Sequence, residues 1–333
     1  MRGPQQGTRP ASTPSLAGCT SRSEARGCSA GGEACSTNSL LRPQPSPARG
    51  EGPVRSGLSE QEGATAPSFL APIDWSQPWL QPYQAVAAPL LAASDWRAAL
   101  NAQAAALGLR NHRGLPLHFV PQAELPAGVA YEAHISATGG VPTRDNLHDF
   151  FNGLMWLAYP ALKVALNALQ AAELARAGDA RTAPRGRVRD AATIFDENAA
   201  LVLVRDAGLA AALGGHRWQE LFVERRQAFG RDCDILLFGH ALLEKLVAPY
   251  KAITAHAWVI EVNDAFFALA PQEKRAWAGA AAASRIAGGL ATADFTPLPV
   301  AGIPGWWEGQ DDAFYADTGV FRPKRGKTAM DPA

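Results

Sequence analysis

The chain has 333 residues, with 31 Lys and Arg set against 31 Asp and Glu, so it lacks the global basic field that draws a protein to nucleic acid. No apolar run approaches the roughly 20 residues needed to span a bilayer. Cys19, Cys28 and Cys35 fall near the N-terminus and Cys233 stands alone. That is neither a disulfide framework nor a paired-cysteine zinc signature, and it fits a reducing, cytoplasmic compartment.

Residues 1–66 are rich in Gly, Ser, Pro, Arg and Ala, with almost no large apolar side chains. Such a segment buries too little surface to offset chain entropy, and the sequence predicts it to be disordered. PSPARGEG at 45–52 looks like translated intergenic repeat, and the next Met after Met1 is Met155. The segment reads as an over-called gene start. Composition changes at Pro67, where an aromatic, Pro-rich arm with Trp75, Trp79 and Tyr83 begins. Residues 87–107 are Ala- and Leu-rich and predicted helical, with Asp95 able to cap part of the run. Residues 117–120 and 129–135 are predicted strands, the second with Tyr131, Ala133 and Ile135 on one face and Glu132 and His134 on the other. Gly139-Gly140 then turns the chain.

The densest mix of titratable and aromatic residues follows, in a helix expected over 145–159 with Asp145 as its N-cap. Leu147, Phe150, Phe151, Leu154 and Ala158 recur at spacings of three and four on one face. Asp145, His148 and Asn152 form a second stripe, with Asp149 and Trp156 beside it. An exposed helix usually carries Lys, Glu or Arg there, so this face is expected to meet a cleft or another layer of protein. Pro160 fits the first turn of a further helix.

The run RTAPRGRVR at 181–189 reads as a solvated basic linker. Residues 191–195 and 200–204 are predicted strands joined by a hairpin turn at Asp196-Glu197-Asn198-Ala199, with a helical continuation as the alternative. In this reading Glu197 is turn chemistry first and a carboxylate ligand second. Helices are expected at 218–229, at 234–247 with a His240/Glu244 stripe, and at 271–286. Residues 253–262 are a predicted strand. The aromatic C-terminal segment, with Trp306, Trp307, Phe314, Tyr315 and Phe321, is expected to wrap over the core. The order of elements points to an α+β, predominantly helical single domain with a small sheet or hairpins over residues 67–325, followed by a disordered tail at 326–333.

The chemically interesting residues are His148, Asp149, His240, Glu244 and His256. Two helices each carry a histidine and a carboxylate on one side. Were those faces to converge, His148, His240, Glu244 and His256 could hold a divalent metal and leave a position open for water. Without metal, His148 with Asp149, or His240 with Glu244, could serve as base and orienting group. This supports a metal-dependent or general acid–base hydrolase acting on a small molecule. The alternative is a non-enzymatic binding or scaffold protein whose polar residues form a buried hydrogen-bond network. In that case His240 and Glu244 are a local pair, His148 bonds Asp145 or a loop carbonyl, and His256 is a core histidine.

Several stretches are specific: TRDNLHDFFN (143–152), FDEN (195–198), FGHALLEK (238–245), APYKAITAHA (248–257), PGWW (304–307) and FYADTGVFRP (314–323). Together they resemble a bacterial family labelled domain of unknown function 3025, over residues 67–325. The resemblance implies a cytoplasmic bacterial protein and brings no catalytic residues with it.

Overall fold

Aromatic anchors set the entry of the chain into its core. Trp79 and Tyr83 are buried, and Tyr83 Oη lies 3.0 Å from Tyr159 Oη, which ties the arm to the middle of the domain. The structure is a computed structural model that describes residues 67–177 and 186–324. Readings of residues 1–66, of 181–185 in the basic run and of the tail at 326–333 lie outside the described residues.

The helix expected over 87–107 is two helices, α1 (Gln84–Leu91) and α2 (Trp96–Ala106). The Asp95 carboxylate accepts the Ala98 backbone N–H at 2.9 Å and so starts the second. Strand β1 (His118–Pro121) lies where a strand was expected. The strand expected at 129–135 is instead helix α3 (Tyr131–Thr138). Its alternation is short, and a helix buries Ile135 just as well while aiming Glu132 at a neighbouring helix. Gly139, at φ 78°, closes α3 in the left-handed conformation. A Cβ there would sit 2.2 Å from the Pro116 carbonyl oxygen. Strand β2 (Gly140–Thr143) then pairs in parallel with β1, His118 opposite Gly140.

Helix α4 (Leu147–Ala158) starts two residues later than expected. Asn146 is its N-cap, accepting the Asp149 N–H at 2.8 Å, because Asp145 is engaged elsewhere, by Trp96 Nε1 and Arg97 Nη2 at 2.8 Å each. From Asp149 to Ala158 every residue of α4 is buried, so the polar stripe does meet protein. Helix α5 (Pro160–Ala177) begins on Pro160.

The strand expected at 191–195 is helical, within α6 (Arg187–Asn198). The buried residues Ala191, Ala192, Phe195 and Asp196 recur with helical spacing. Strand β3 (Ala199–Val204) follows directly and is buried throughout, as a central strand covered on both faces should be. Helix α7 (Ala207–Gly214) leads into residues 218–229, where one π turn (Glu220–Glu224) and one 3₁₀ turn (Arg226–Ala228) replace the continuous helix expected. The helix expected over 234–247 divides into strand β4 (Cys233–Leu237) and helix α8 (His240–Lys245). A short apolar run does not distinguish strand from helix by period. Here pairing decides, with Leu236 set opposite Leu201 of β3.

Strand β5 (Thr254–Glu261) runs parallel to β3. A short helix α9 (Asp264–Phe267) and the Ala-rich α10 (Pro271–Ile286) follow, and β6 (Thr296–Pro299) pairs antiparallel with β5. The sheet order is β4-β3-β5-β6. Helix α11 (Asp312–Tyr315) and the residues around it place Phe314, Tyr315 and Phe321 in the core, as expected of the wrap. The architecture is α+β and predominantly helical. Among the described residues no helix is long and apolar enough to cross a membrane.

Candidate metal centre

Three helix ends meet above the sheet: the start of α4, the end of α6 and the start of α8. Their junction is set by Gly239. Its N–H and that of Phe238 both donate to the Ala199 carbonyl, at 2.9 Å each. A Cβ on Gly239 would lie 2.5 Å from the backbone N and Cα of Asn198 and 2.6 Å from the Glu197 carbonyl oxygen. Only glycine lets the backbones approach this closely, and the approach lays His240 against Asp196 and Glu197.

His240 Nε2 is 3.1 Å from His148 Nε2 and 3.3 Å from Glu197 Oε2. One ligand atom from each of the three residues falls within 4.8 Å of the other two. The remaining nitrogen of each ring faces an oxygen. His148 Nδ1 is 2.9 Å from Glu244 Oε2. His240 Nδ1 is turned to Asp196, whose carboxylate oxygen lies 3.8 Å away and whose backbone also favours a proton on that ring. His148 Nδ1 is placed to carry hydrogen, so that ring turns its Nε2 lone pair to the cluster. His240 Nδ1 makes no hydrogen bond, and the nearest Asp196 carboxylate oxygen is 3.8 Å away. His240 Nε2 therefore either donates to His148 or Glu197 or, with its proton on Nδ1, offers a further lone pair beside them.

In the second of these states three lone pairs converge, and a cation between them offsets their repulsion. A proton is poorly suited, because burial pushes the His240 imidazole down to about 4, outweighing the pull of Asp196. A metal ion fits the spacing. Two bonds of about 2.1 Å at roughly 90–110° put their donor atoms about 3.0–3.4 Å apart. The donor set, two imidazoles and one carboxylate, is the chemistry that zinc, iron and manganese accept. Glu244 would then hold the His148 ring in its ligating tautomer from behind.

These residues line a cleft of about 290 Å³ together with Tyr131, Glu132, Arg144, Asp149, Asn152 and Asp196. Buried Asp149 grips Arg144, accepting from Nε at 2.9 Å, from Nη2 at 3.0 Å and from the backbone N–H at 2.6 Å. The Arg144 side chain is still 56% exposed, so it is oriented without being used up. Lys163 Nζ, buried, donates to Asp196 Oδ1 at 2.6 Å and Asn152 Oδ1 at 2.8 Å. Burial works against an ionised Asp196, but Lys163 and the histidines hold its carboxyl below the usual range. Asn152 Nδ2 in turn donates to Tyr131 Oη at 2.9 Å. Glu132 has no cationic partner within ion-pair range among the described residues. Asn167 Nδ2 donates to it at 2.6 Å, and burial, with the Asp196 charge second, pushes its carboxyl up to about 7.

The family model described as "Protein of unknown function (DUF3025)" matches residues 117–325. The chain belongs to this family. No curated protein and no solved structure matches the chain. The DUF3025 region contains every residue of the cluster, from His148 on α4 to Glu244 on α8.

Of the residues singled out in the sequence, the fold brings His148, His240 and Glu244 together, with Glu244 behind His148 as its hydrogen-bond partner. Asp149 faces the same cleft but is bound to Arg144. His256 joins a different set: its Nδ1 accepts from Asn198 Nδ2 at 2.9 Å, its ring meets Phe295, and it lines another cleft. Glu197 completes the donor set instead. The hairpin reading of 191–204 ranked that role second. A helix through Glu197 that ends at Asn198 would have shown its carboxylate projecting from the same terminus that carries Asp196.

Proposed function

We propose that the DUF3025 chain is a metal-dependent hydrolase of small polar molecules, with His148, His240 and Glu197 as the metal ligands. The observation that carries this reading is the close approach of the two Nε2 atoms, 3.1 Å apart beside the Glu197 carboxylate. Bound there, the metal would supply Lewis acidity and a lowered pKa for a bound water.

The chain's own groups suit such a reaction. Arg144, fixed by Asp149 through one edge of its guanidinium, offers its free edge to a carboxylate or phosphate of the substrate. Glu132, with its carboxyl near neutrality, is poised to take a proton from water and return it to a leaving group. Tyr131 stays protonated because burial drives its phenol up, and it keeps a hydroxyl proton to donate. Glu244 holds the proton on His148 Nδ1.

The second reading, a binding protein with a structural polar network, draws on Lys163, whose ammonium satisfies Asp196 and Asn152 inside the core. Elemental analysis of the purified full chain separates the two. The expected result is about one equivalent of zinc, iron or manganese, lost in His148→Ala, His240→Ala and Glu197→Gln and retained in His256→Ala, with each variant still folded. Equal metal content in all of them, or no metal and no thermal response to added Zn²⁺, Mn²⁺ or Fe²⁺, would return the histidines to the structural network.

A further inference from the structure

A second cleft, of about 700 Å³, falls in the size range of small-molecule sites. It opens between the residues after α7, the edge formed by β5 and β6, and residues 319–324. Its charge is one-sided. His216, His256, Arg322 and Lys324 line it and can carry positive charge, while no lining residue can carry negative charge. Burial, with Lys324 second, lowers the His216 imidazole, and burial, with Lys245 second, lowers that of His256. The positive charge of the cleft therefore rests on Arg322 and Lys324, and among the described lining residues no carboxylate offsets it.

The walls are flat and fixed. The rings of His216 and Trp218 stack, with centroids 5.1 Å apart and planes 25° from parallel, and Trp218 is itself buried and stacked on Phe222, so His216 is the ring this stack presents to the cleft. Trp218 Nε1 donates to the Arg322 carbonyl at 2.7 Å, which ties the C-terminal segment over this stack. His216 is the one non-glycine residue at positive φ among the described residues, at 53°. Such strain persists where surroundings enforce it, and it concentrates at ligand sites. Pro297 and His256 line the same cleft. Because Asn198 Nδ2 donates to His256 Nδ1, the proton of neutral His256 is on Nε2. Arg322 uses only Nε, on the Gly319 carbonyl, and Lys324 uses one N–H, on the Gly214 carbonyl. Each keeps donors free.

We propose that this cleft binds a small organic carboxylate with a flat aromatic body, its acid group at Arg322 and Lys324 and its ring against the His216 imidazole that Trp218 backs. The site is separate from the metal centre and does not depend on it.

Calorimetric titration of the full chain with naphthalene-2-carboxylate and with its uncharged counterpart 2-naphthamide tests the proposal. The carboxylate is expected to bind about tenfold or more tightly than the amide. The Arg322→Ala/Lys324→Ala double variant is expected to lose about tenfold in affinity for the carboxylate. Failure of the carboxylate to bind at millimolar concentration, equal binding of the amide, or an unaltered affinity in the double variant would each overturn it.

Discussion

Two polar clusters share the interior of this domain, and they differ in how their donors and acceptors add up. Around Lys163 the account closes. Its ammonium meets the Asp196 carboxylate and the Asn152 carbonyl, its charge lies 5.3 Å from the centroid of the Trp156 ring, and Asn152 passes a hydrogen bond to Tyr131. Around His148 and His240 it does not close. Two imidazole nitrogens and a carboxylate oxygen converge, and His240 Nδ1 behind them has no hydrogen-bond partner. A closed network specifies a fold, because each member is satisfied by the others. A cluster of two imidazoles and a carboxylate left partly unpaired is suited to a cation. The two sets meet at Asp196 and Glu197, adjacent residues at the end of one helix, so a single helix terminus serves both purposes.

The sharpest way to break this contrast is to remove one member from each cluster and compare. Lys163→Ala leaves the Asp196 carboxylate buried without its charge partner, which is expected to cost about 3–5 kcal/mol. At about 2–4 °C per kcal/mol for a domain of this size, the melting temperature should fall by roughly 10 °C. His148→Ala, at a partly exposed position, should leave the metal-free protein within about 1 kcal/mol of the parent. Thermal denaturation of both variants in the presence of a chelator gives the answer. If Lys163→Ala melted with the parent, the closed network would not be what holds this region together.

Glu132 stands between the two clusters and should show the next largest effect. Its carboxyl is raised to about 7 in the folded chain from an ordinary 4.5, by burial first and the Asp196 charge second. Below the ordinary value both states hold the proton and nothing is lost. Between that value and about 7 the folded state binds more protons than the unfolded state, so stability falls as pH rises. Above about 7 the loss is complete, at most about 3 kcal/mol. Glu132→Gln should therefore flatten the stability of the metal-free protein between pH 5 and 7 and exceed the parent above pH 7. Denaturant unfolding across that pH range tests it, and a parent that gains stability from pH 5 to 7 while the variant does not would overturn the assignment.

Much of the scaffold was legible in the sequence. Pro271 and Pro160 open α10 and α5, the Val- and Leu-rich run of β3 reads as a buried strand, and the central helix carries its polar stripe into a protein interior. What was not legible depended on pairing or on close approach between distant segments. The apolar run at 234–237 became a strand because β3 was there to pair with it. The segment at 191–198 became a helix because its buried residues face the core at helical spacing. The candidate site suffered most from that second error. His148, His240 and Glu244 were visible as one-sided helix residues, whereas Glu197 ranked only second as a ligand in an assumed hairpin and His256 was drawn in by residue type alone. Gly239 in FGHALLEK was a further signal. A glycine directly before a histidine at the start of a helix marks a backbone contact, and this one seats His240 beside Glu197.

The smallest predicted effect concerns Glu244, and it asks whether the His148–Glu244 contact serves the metal centre or only decorates the surface. The pair is 2.9 Å apart, with both side chains about a third exposed. As a surface ion pair it contributes at most about 1 kcal/mol to stability. As the partner that keeps the proton on His148 Nδ1, it should matter to metal affinity far more than to folding. Outer partners of this kind typically account for about 10–100-fold in affinity. Glu244→Gln keeps an acceptor oxygen but loses the charge, so about a tenfold weaker Zn²⁺ affinity is expected. Glu244→Ala loses both and should fall further towards a hundredfold. Neither should shift the melting temperature of the metal-free protein by more than about 2–3 °C. Competition of each variant with a chromogenic zinc chelator measures this directly. Graded loss in the order Gln, then Ala, with unchanged apo stability, places Glu244 behind the metal ligand. Parent-like affinity in both variants would leave it an ordinary surface partner of His148.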